Sequence, residues 1–196
     1  MKLKRDFFLQ STLKVAKNLL GKYLVRKYRG GKIVGKIVET EAYVGPKDKA
    51  SHAYGGKQTA RNRAEFLKGG HIYIYLVYGM HWQFNISTYK EGKPECVLIR
   101  AVEPVVNTKY KILNTRYLNK ANGPGKLCGY FKFDKSFYGE DTVKSSRIWL
   151  EDGGEKIKPS QIAKGPRIGI DYAGPRWSKI HWRFWLKNSE FVSKFK

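Results

Sequence analysis

Two glutamates lie two positions apart in a segment whose composition is typical of a β-strand. Glu39 and Glu41 belong to Lys32–Tyr43, and residues two apart in a strand face the same side, with backbones about 6.5–7 Å apart. Carboxylates at that spacing could serve as the acid and the base of an enzyme that hydrolyses a sugar bond. The alternative is that both are surface charges paired with some of the 39 lysines and arginines. The local pattern by itself favours this second alternative.

An uncharged stretch rich in tyrosine follows. Residues 69–89 contain no Lys, Arg, Asp or Glu, although 28% of the chain is charged. Polar residues and a glycine interrupt the stretch, so it is not a membrane span. It predicts a β-hairpin with its tip near Tyr78-Gly79-Met80, in which Tyr73 and Tyr75 share one face. These two could be core residues with hydroxyls at the rim, whereas Tyr78 at the tip is harder to explain as core.

Other candidates are ambiguous when taken singly. Arg100 stands in an apolar predicted strand and needs an anionic partner if it is buried. His52 lies in a loop, where histidines are usually solvated, and Asn85 suits a turn or a strand edge. Gly123-Pro-Gly-Lys126 lacks the full phosphate-loop pattern. It predicts instead a helix start whose free N–H groups and lysine meet a backbone phosphate.

The elements that must position these residues alternate between strands and short helices. Hairpin-paired strands with helices between them predict one α+β domain over residues 1–196, with a curved, mostly antiparallel β-sheet, a protruding β-hairpin and surrounding helices. Besides the hairpin, the predicted strands are Lys22–Tyr28, Lys32–Tyr43, Cys96–Val102 (stopped by Glu103-Pro104), Arg147–Leu150, Arg167–Ile170 and Trp182–Leu186. The predicted helices are Ser11–Leu20 (capped by Ser11 or Thr12), Thr59–Leu67, Val105–Tyr117 and one after Asn122.

The net charge of +23, the lack of targeting segments and the two cysteines narrow the possible classes of function. Basic residues are spread evenly, 20 in residues 1–100 and 19 in residues 101–196, so the excess covers a folded surface that attracts DNA or RNA. The chain shows no basic amphipathic helix for a membrane surface and no signal peptide. Cys96 and Cys128 form no metal-binding framework and fit a reduced compartment.

The candidate residues fall into a series of segments in fixed order. The series is Val38-Glu-Thr-Glu-Ala-Tyr43, the His52 loop, Tyr73-Ile-Tyr-Leu-Val-Tyr-Gly-Met80, Asn85-Ile-Ser87, Val97-Leu-Ile-Arg-Ala-Val-Glu-Pro104, Gly123-Pro-Gly-Lys-Leu-Cys128, Lys135-Ser-Phe137, Arg167-Ile-Gly169 and Phe191-Val-Ser193. This series resembles the mammalian-type alkyladenine (3-methyladenine) DNA glycosylase family. It covers nearly the whole chain, which makes it more specific than any single motif.

The resemblance implies a hydrolytic mechanism. Glu41 would be the general base for a water that attacks the sugar C1′, and it would stabilise the oxocarbenium-like transition state. Arg100 would hold the water or its neighbouring phosphate, and Glu39 would support the site without being catalytic. A monofunctional glycosylase of this kind needs no metal, no cofactor and no lysine Schiff base.

The resemblance also implies that the damaged base is flipped out of the duplex, at a cost of a few kcal/mol. Tyr78 would fill the vacated stack, while Tyr43, Tyr75 and His52 would sandwich the base. A backbone amide near His52 would recognise hypoxanthine or ethenoadenine, and Asn85 would crowd the 2-amino group of guanine. The implied substrates are these two bases, 3-methyladenine and 7-methylguanine.

The implied partner is double-stranded DNA containing damaged purines, with Gly125 and Lys126 at its backbone. We expect a monomer, in the cytoplasm with the nucleoid of a bacterium or in the nucleus of a eukaryote. Composition alone also suits a non-catalytic nucleic-acid-binding protein of the ribosomal type. Two segments depart from the family pattern: His81-Trp82-Gln83, and the tryptophan-rich Gly174–Trp185, which suits either an added DNA contact or core.

Overall fold

An eight-stranded antiparallel sheet forms the centre of the protein, in a computed structural model that describes residues 1–105 and 121–194. The strands are β1 Tyr23–Tyr28, β2 Gly31–Val44, β3 Ile72–Val77, β4 His81–Ser87, β5 Glu95–Pro104, β6 Ile148–Glu151, β7 Ile162–Gly165 and β8 Arg183–Leu186. The helices are α1 Arg5–Phe8, α2 Thr12–Asn18, α3 Pro124–Phe131 and α4 Pro175–Ser178. The main path runs β3-β4-β5-β2-β1-β6, and β8 pairs with both β2 and β7. The predicted α+β class is confirmed.

The first hairpin turns where the sequence predicts it. Arg29 and Gly30, between β1 and β2, both have positive φ angles, 44° and 76°. Two positive φ angles in a two-residue loop match the right-handed twist of the flanking strands. This turn sets the register of β1 against β2. Strand β5 pairs with the other side of β2.

A bulge in β2 determines which face carries the two glutamates. The pairing with β5 shifts between Ile37 and Glu39 and again between Glu39 and Thr40. As a result Ile37 and Val38, although adjacent, both belong to the main hydrophobic core. After the bulge the even positions face α2, where the Thr40 hydroxyl donates to the Ala16 carbonyl at 2.9 Å. The odd positions, which include both glutamates, therefore face the opposite side of the sheet.

The two faces of the sheet have different roles. One packs against α2 and α3 around a core that includes Ile72, Ile74 and Ile99. The other carries Tyr73 and, beside it, Tyr75, as their spacing predicted. No helix among the described residues is long and apolar enough to cross a membrane.

Several predicted boundaries and elements were wrong. Thr59–Leu67 forms only a short 3-10 turn at Arg63–Phe66, and β5 continues through Glu103-Pro104 because Pro104 still pairs with Gly35. Arg167–Ile170 is irregular, because the Ile168 N–H donates to a carboxylate of the site instead of a neighbouring strand. The strand lies just before it, at β7, and no sequence pattern predicted it.

The other predicted elements lie close to their positions in the structure, except for one that falls mostly outside the described residues. Ser11 takes the N-cap position of α2 without a side-chain cap bond, and the Thr12 hydroxyl instead contacts Thr88 and Glu95. The helix predicted at Val105–Tyr117 lies, beyond its first residue, outside the described residues.

Candidate active site

A cavity of about 530 Å³ opens on the face of the sheet opposite α2 and α3. Strands β3, β4 and β5 form one wall, and the loops that carry His52 and Ile168–Ile170 form the others. Of the predicted site residues, the cavity is lined by Tyr43, His52, Tyr75, Tyr78, Asn85 and Arg100.

Arg100 joins the two glutamates. Its Nε lies 3.1 Å from Oε1 of Glu39, and its Nη1 lies 3.3 Å from Oε1 of Glu41. All three side chains are nearly or fully buried. Burial alone would lower the pKa of Arg100, but the charges of Glu41 and Glu39 raise it above its ordinary value. The predicted placement of both glutamates on one side, with an anionic partner for the buried arginine, is confirmed.

Glu39 accepts four hydrogen bonds from three residues of other segments. Besides Arg100 it binds Nη1 of Arg183 at 3.1 Å and accepts the Ser193 N–H and hydroxyl, each at 2.8 Å. A carboxylate with this many donors is a structural anchor. It ties β2 to β8 and to the end of the described chain, and it holds Arg100 in place.

Glu41 is held differently. Its Oε1 accepts the Ile168 N–H at 2.8 Å, and its Oε2 accepts the Tyr43 hydroxyl at 2.8 Å. The side chain is 0% exposed and lies just behind the cavity wall, because its three partners Tyr43, Arg100 and Ile168 line that wall. Each carboxylate oxygen has two lone pairs, so Oε2 can accept one further donor. This fixed carboxylate can accept a proton at the cavity edge.

A second buried ion pair supports Tyr43. Arg167 binds Asp48 through two nitrogens, at 2.5 and 2.9 Å, and donates to the Ala42 carbonyl at 2.9 Å. Its guanidinium carbon lies 4.7 Å from the centre of the Tyr43 ring. Burial and the negative charge of Glu41 raise the pKa of Tyr43 well above its ordinary value. Its hydroxyl therefore stays protonated and remains a donor to Glu41.

Three rings form the aromatic wall. His52 lies edge-on to Tyr75 at 4.6 Å between centroids, and Tyr73 lies 5.1 Å from Tyr75. Nδ1 of His52 is 2.6 Å from the Tyr73 hydroxyl. His52 is an exposed residue, but partial burial against the wall and the charge of Arg61 lower its pKa to about 4. His52 is therefore neutral at pH 7.

The hairpin tip projects from the cavity rim. Tyr78 is 88% exposed and has a positive φ of 51°, an uncommon conformation for a bulky residue. Met80 beside it is also largely exposed. The tip predicted from sequence is confirmed, and its exposed ring is available to a partner.

Asn85 is buried near the C-terminal end of β4. Its Nδ2 donates to the carbonyls of Tyr73 at 3.1 Å and Gln83 at 3.2 Å. These two bonds fix the orientation of the amide against the cavity. Asn85 is thus neither at a turn nor at a strand edge.

The residues around the start of α3 approach the cavity from another side. Pro124 lines it, Gly125 packs against His81 of β4, and the exposed Lys126 donates to Oδ1 of Asn122 at 3.0 Å. A side chain at Gly125 would come within about 3.2 Å of the His81 ring. The glycine therefore allows α3 to sit close to the hairpin.

The tryptophan-rich segment Gly174–Trp185 is partly or fully exposed except at Phe184. Trp177 and Trp182 pack edge to face at 6.1 Å, and Arg167 lies 5.1 Å from the Trp182 ring. Both tryptophans are only partly exposed. The two tryptophans pack beside the site, while Arg176 and Lys179 of the same segment are exposed, so both alternatives stay predictions.

Sequence reasoning missed several groups of the site. Asp48 and Glu65 are buried acids, and Tyr172 lines the cavity with its hydroxyl on the Ala50 carbonyl at 3.0 Å. The Ile168 N–H is a backbone group that no side-chain pattern can indicate. The quoted Arg167-Ile-Gly169 segment was a signal for this region, although it carried no role.

An aromatic pocket beside a buried carboxylate, on a protein of charge +23, is typical of an enzyme that acts on single nucleic-acid bases. The family model described as methylpurine-DNA glycosylase matches residues 6–190. Three relatives carry the name "Putative 3-methyladenine DNA glycosylase". They come from Natranaerobius thermophilus (41% identical, covering 98% of this chain and 99% of the relative), Methanocella arvoryzae (45%, 98% and 96%) and Clostridium perfringens (42%, 99% and 100%).

The chain belongs to the methylpurine-DNA glycosylase family. It is a DNA glycosylase, a hydrolase of DNA repair by base excision. The resemblance seen in the sequence is thereby confirmed.

Proposed function

We propose that this glycosylase removes damaged purines from double-stranded DNA with a water activated by Glu41. The observation that carries the proposal is the fixed position of the Glu41 carboxylate behind the cavity wall, between Tyr43, Arg100 and the Ile168 N–H. The substrates are 3-methyladenine, 7-methylguanine, hypoxanthine and ethenoadenine.

The reaction is a displacement at the sugar carbon. The C1′–N bond breaks and its electron pair leaves with the base, while the water oxygen bonds to C1′ and its proton passes to Glu41. The carboxylate also stabilises the positive charge that develops on the sugar. A base already carrying a positive charge leaves as a neutral molecule, which makes it a good leaving group. The product is an abasic site.

The surrounding residues hold Glu41 ready for this step. Tyr43 and Ile168 each donate one hydrogen bond to it, and Arg100 compensates its charge in the buried site. Glu39 acts through Arg100 as a positioning residue. In the bound complex Arg100 contacts the attacking water or the phosphate next to it.

The cavity receives the base and the hairpin replaces it in the duplex. Tyr43, Tyr75 and His52 stack on the flipped base, and stacking contributes about 1–3 kcal/mol per base without requiring one sequence. Tyr78, at the exposed tip, fills the gap in the stack and offsets the few kcal/mol lost on flipping. Electron-rich rings favour cationic bases such as 3-methyladenine and 7-methylguanine.

Backbone and amide groups discriminate among neutral purines. The backbone amide next to His52 recognises hypoxanthine or ethenoadenine. Asn85, fixed by its two bonds to backbone carbonyls, crowds the 2-amino group of guanine and excludes the undamaged base. The basic surface, with Gly125 and Lys126 near the hairpin, binds the DNA backbone, and the protein acts as a monomer.

The enzyme is monofunctional, without lyase activity. None of the described residues that line the cavity is a lysine, and a lyase step requires an amine that forms a Schiff base with the sugar. Membership of the methylpurine-DNA glycosylase family disfavours the alternative of a non-catalytic nucleic-acid-binding protein. A sugar hydrolase with Glu39 and Glu41 as acid and base is disfavoured by the four hydrogen bonds that occupy Glu39.

The test is incubation with duplexes that carry one hypoxanthine or one ethenoadenine, and with methylated DNA, followed by hot alkali. We expect strand cleavage only after alkali, and no covalent product on borohydride reduction. Cleavage without alkali would contradict the monofunctional assignment. No product on any of these DNAs, despite tight binding, would contradict the enzymatic function.

A further inference from the structure

Glu65 is a buried acid that the proposed mechanism does not use. It lies on the 3-10 turn Arg63–Phe66, is 1% exposed, and lines the same cavity as the aromatic wall. In a chain with 39 basic residues against 16 acidic ones, burying a carboxyl at the bottom of the pocket is costly unless it has a partner.

Among the described residues, Glu65 has no ion-pair partner. No lysine or arginine among the described residues lies within ion-pair distance of it. The Ser51 hydroxyl donates to Oε2 at 3.4 Å, and Tyr73 lines the same cavity. The other titratable groups that face it are Asp48 and His52 from the preceding loop, Tyr75 from β3, Cys96 from β5 and, on its own segment, Arg61; β4 contributes the uncharged Asn85.

The charged form of Glu65 is therefore disfavoured. Burial, and to a smaller extent the negative charge of Asp48, raise the pKa of Glu65 to about 8, although the hydrogen bond from Ser51 and the nearby Tyr73 hydroxyl lower it. At neutral pH the carboxyl is mostly protonated and can donate a hydrogen. Above about pH 8 the carboxyl carries a negative charge at the cavity wall.

Tyr73 and His52 form an uncharged pair that lines the same cavity as Glu65. The Tyr73 oxygen is 2.6 Å from Nδ1 of His52, and both rings line the cavity together with the carboxyl. Since His52 is neutral at pH 7, this pair supplies no charge that would compensate an ionised Glu65.

We propose that Glu65 is a specificity-determining residue of the base pocket, whose ionisation favours cationic purines over neutral ones. The inference rests on the proposed function. In a cavity of low polarity, a carboxylate attracts a cationic base strongly and offers no comparable gain to a neutral one. Conversely, the neutral carboxyl and the His52–Tyr73 pair accommodate both kinds of base. The pocket thereby accepts a broad range of lesions at neutral pH.

The test compares one cationic and one neutral substrate across pH. Single-turnover excision of 3-methyladenine and of ethenoadenine, which stays uncharged in this range, is measured from pH 6.5 to 9.5, after subtraction of release without protein. The ratio of the two rates cancels effects common to both, including those on Glu41. We expect the ratio to rise on the order of tenfold around pH 8 in the unmodified protein, and to stay flat in Glu65→Gln.

Two further variants separate this role from a structural one. Ser51→Ala removes a hydrogen bond that stabilises the ionised form, so the midpoint of the rise should move upward, by up to about one pH unit. Glu95→Gln is the matched control. Its carboxyl is partly buried on Thr12, away from the cavity wall, and the ratio should keep the profile of the unmodified protein.

The outcomes are distinguishable. A pH-independent ratio in the unmodified protein, or the same rise in Glu65→Gln, would overturn the role of Glu65 and leave the glycosylase function standing. If Glu65→Gln does not fold, the Ser51→Ala midpoint decides, and an unchanged midpoint overturns the proposal. Excision of neither base at any pH would contradict the proposed function, and the role of Glu65 with it.

Discussion

Arg167 and Asp48, 119 residues apart in sequence, form an ion pair with both side chains 0% exposed. The pair closes the site from behind, because Arg167 also lies against the Tyr43 ring and precedes the Ile168 N–H that binds Glu41. Nε of Arg167 is buried without a hydrogen-bond partner among the described residues. Breaking such a pair leaves a charge that water cannot reach.

Asp48→Asn should therefore destabilise the protein by about 3–5 kcal/mol, since it leaves the Arg167 charge unpaired. The double variant Asp48→Asn/Arg167→Met removes that charge and should be more stable than Asp48→Asn alone. Asp152→Asn, which breaks the partly exposed pair with Lys22, is the control and should cost no more than about 1 kcal/mol. Denaturant unfolding measures all three. Equal losses in Asp48→Asn and Asp152→Asn would contradict the account.

Glu65 should make stability depend on pH. Its folded-state pKa of about 8 lies above the ordinary 4.5, so the folded protein holds a proton that the unfolded chain releases. Stability is fully present below pH 4.5 and is lost as pH rises through 8. Glu65→Gln avoids this loss and should be more stable than the unmodified protein at pH 9, by several kcal/mol and at most about 5.

Thermal unfolding at pH 5 and pH 9 measures the effect. The gain from Glu65→Gln should be larger at the higher pH, whereas Glu91→Gln, at an exposed position, should show no such difference. A gain that does not change with pH would mean that Glu65 is already ionised in the folded protein at pH 5.

Tyr78→Ser should weaken binding to lesion-containing duplex more than binding to undamaged duplex, because the ring fills the stack only after flipping. The expected difference is about 1–3 kcal/mol, the contribution of one stacking contact. Met80→Ala, at the neighbouring exposed position, is the matched control. Fluorescence titration with both duplexes measures the two affinities. If both weaken equally in Tyr78→Ser, the ring is not a wedge.

Binding to undamaged DNA should depend steeply on salt. The net charge of +23 allows many phosphate contacts. Neutralising roughly 6–10 phosphates predicts a slope of about −5 to −9 for the logarithm of the binding constant against the logarithm of salt concentration. A slope near zero in the same titration would exclude the basic surface as the DNA-binding surface.

Local patterns predicted the hairpins and the shared side of Glu39 and Glu41, because strand periodicity and turn residues act over short distances. They could not predict which face of the sheet the glutamates occupy. That face depends on the bulge after Ile37, where one extra residue reverses the alternation. No residue type marks the bulge in the sequence.

The groups that hold Glu41 were harder to predict because they come from distant segments. Ile168 contributes a backbone N–H from 127 residues away, and the irregular chain around it was predicted as a strand. Asp48, in a predicted loop, and Glu65, in a predicted helix, carried no signal of their burial, since burial is a property of the whole fold. The family resemblance supplied the candidate roles that spacing could not.

The most direct test of the account compares Glu41→Gln with the unmodified protein on a duplex that carries one hypoxanthine. Glutamine keeps the size of the side chain and cannot accept the proton of the attacking water. Single-turnover base release should fall by roughly 100-fold to 10,000-fold, while the dissociation constant for the same duplex should change by only a few-fold. Base release at the rate of the unmodified protein would contradict the assignment of Glu41 as the general base.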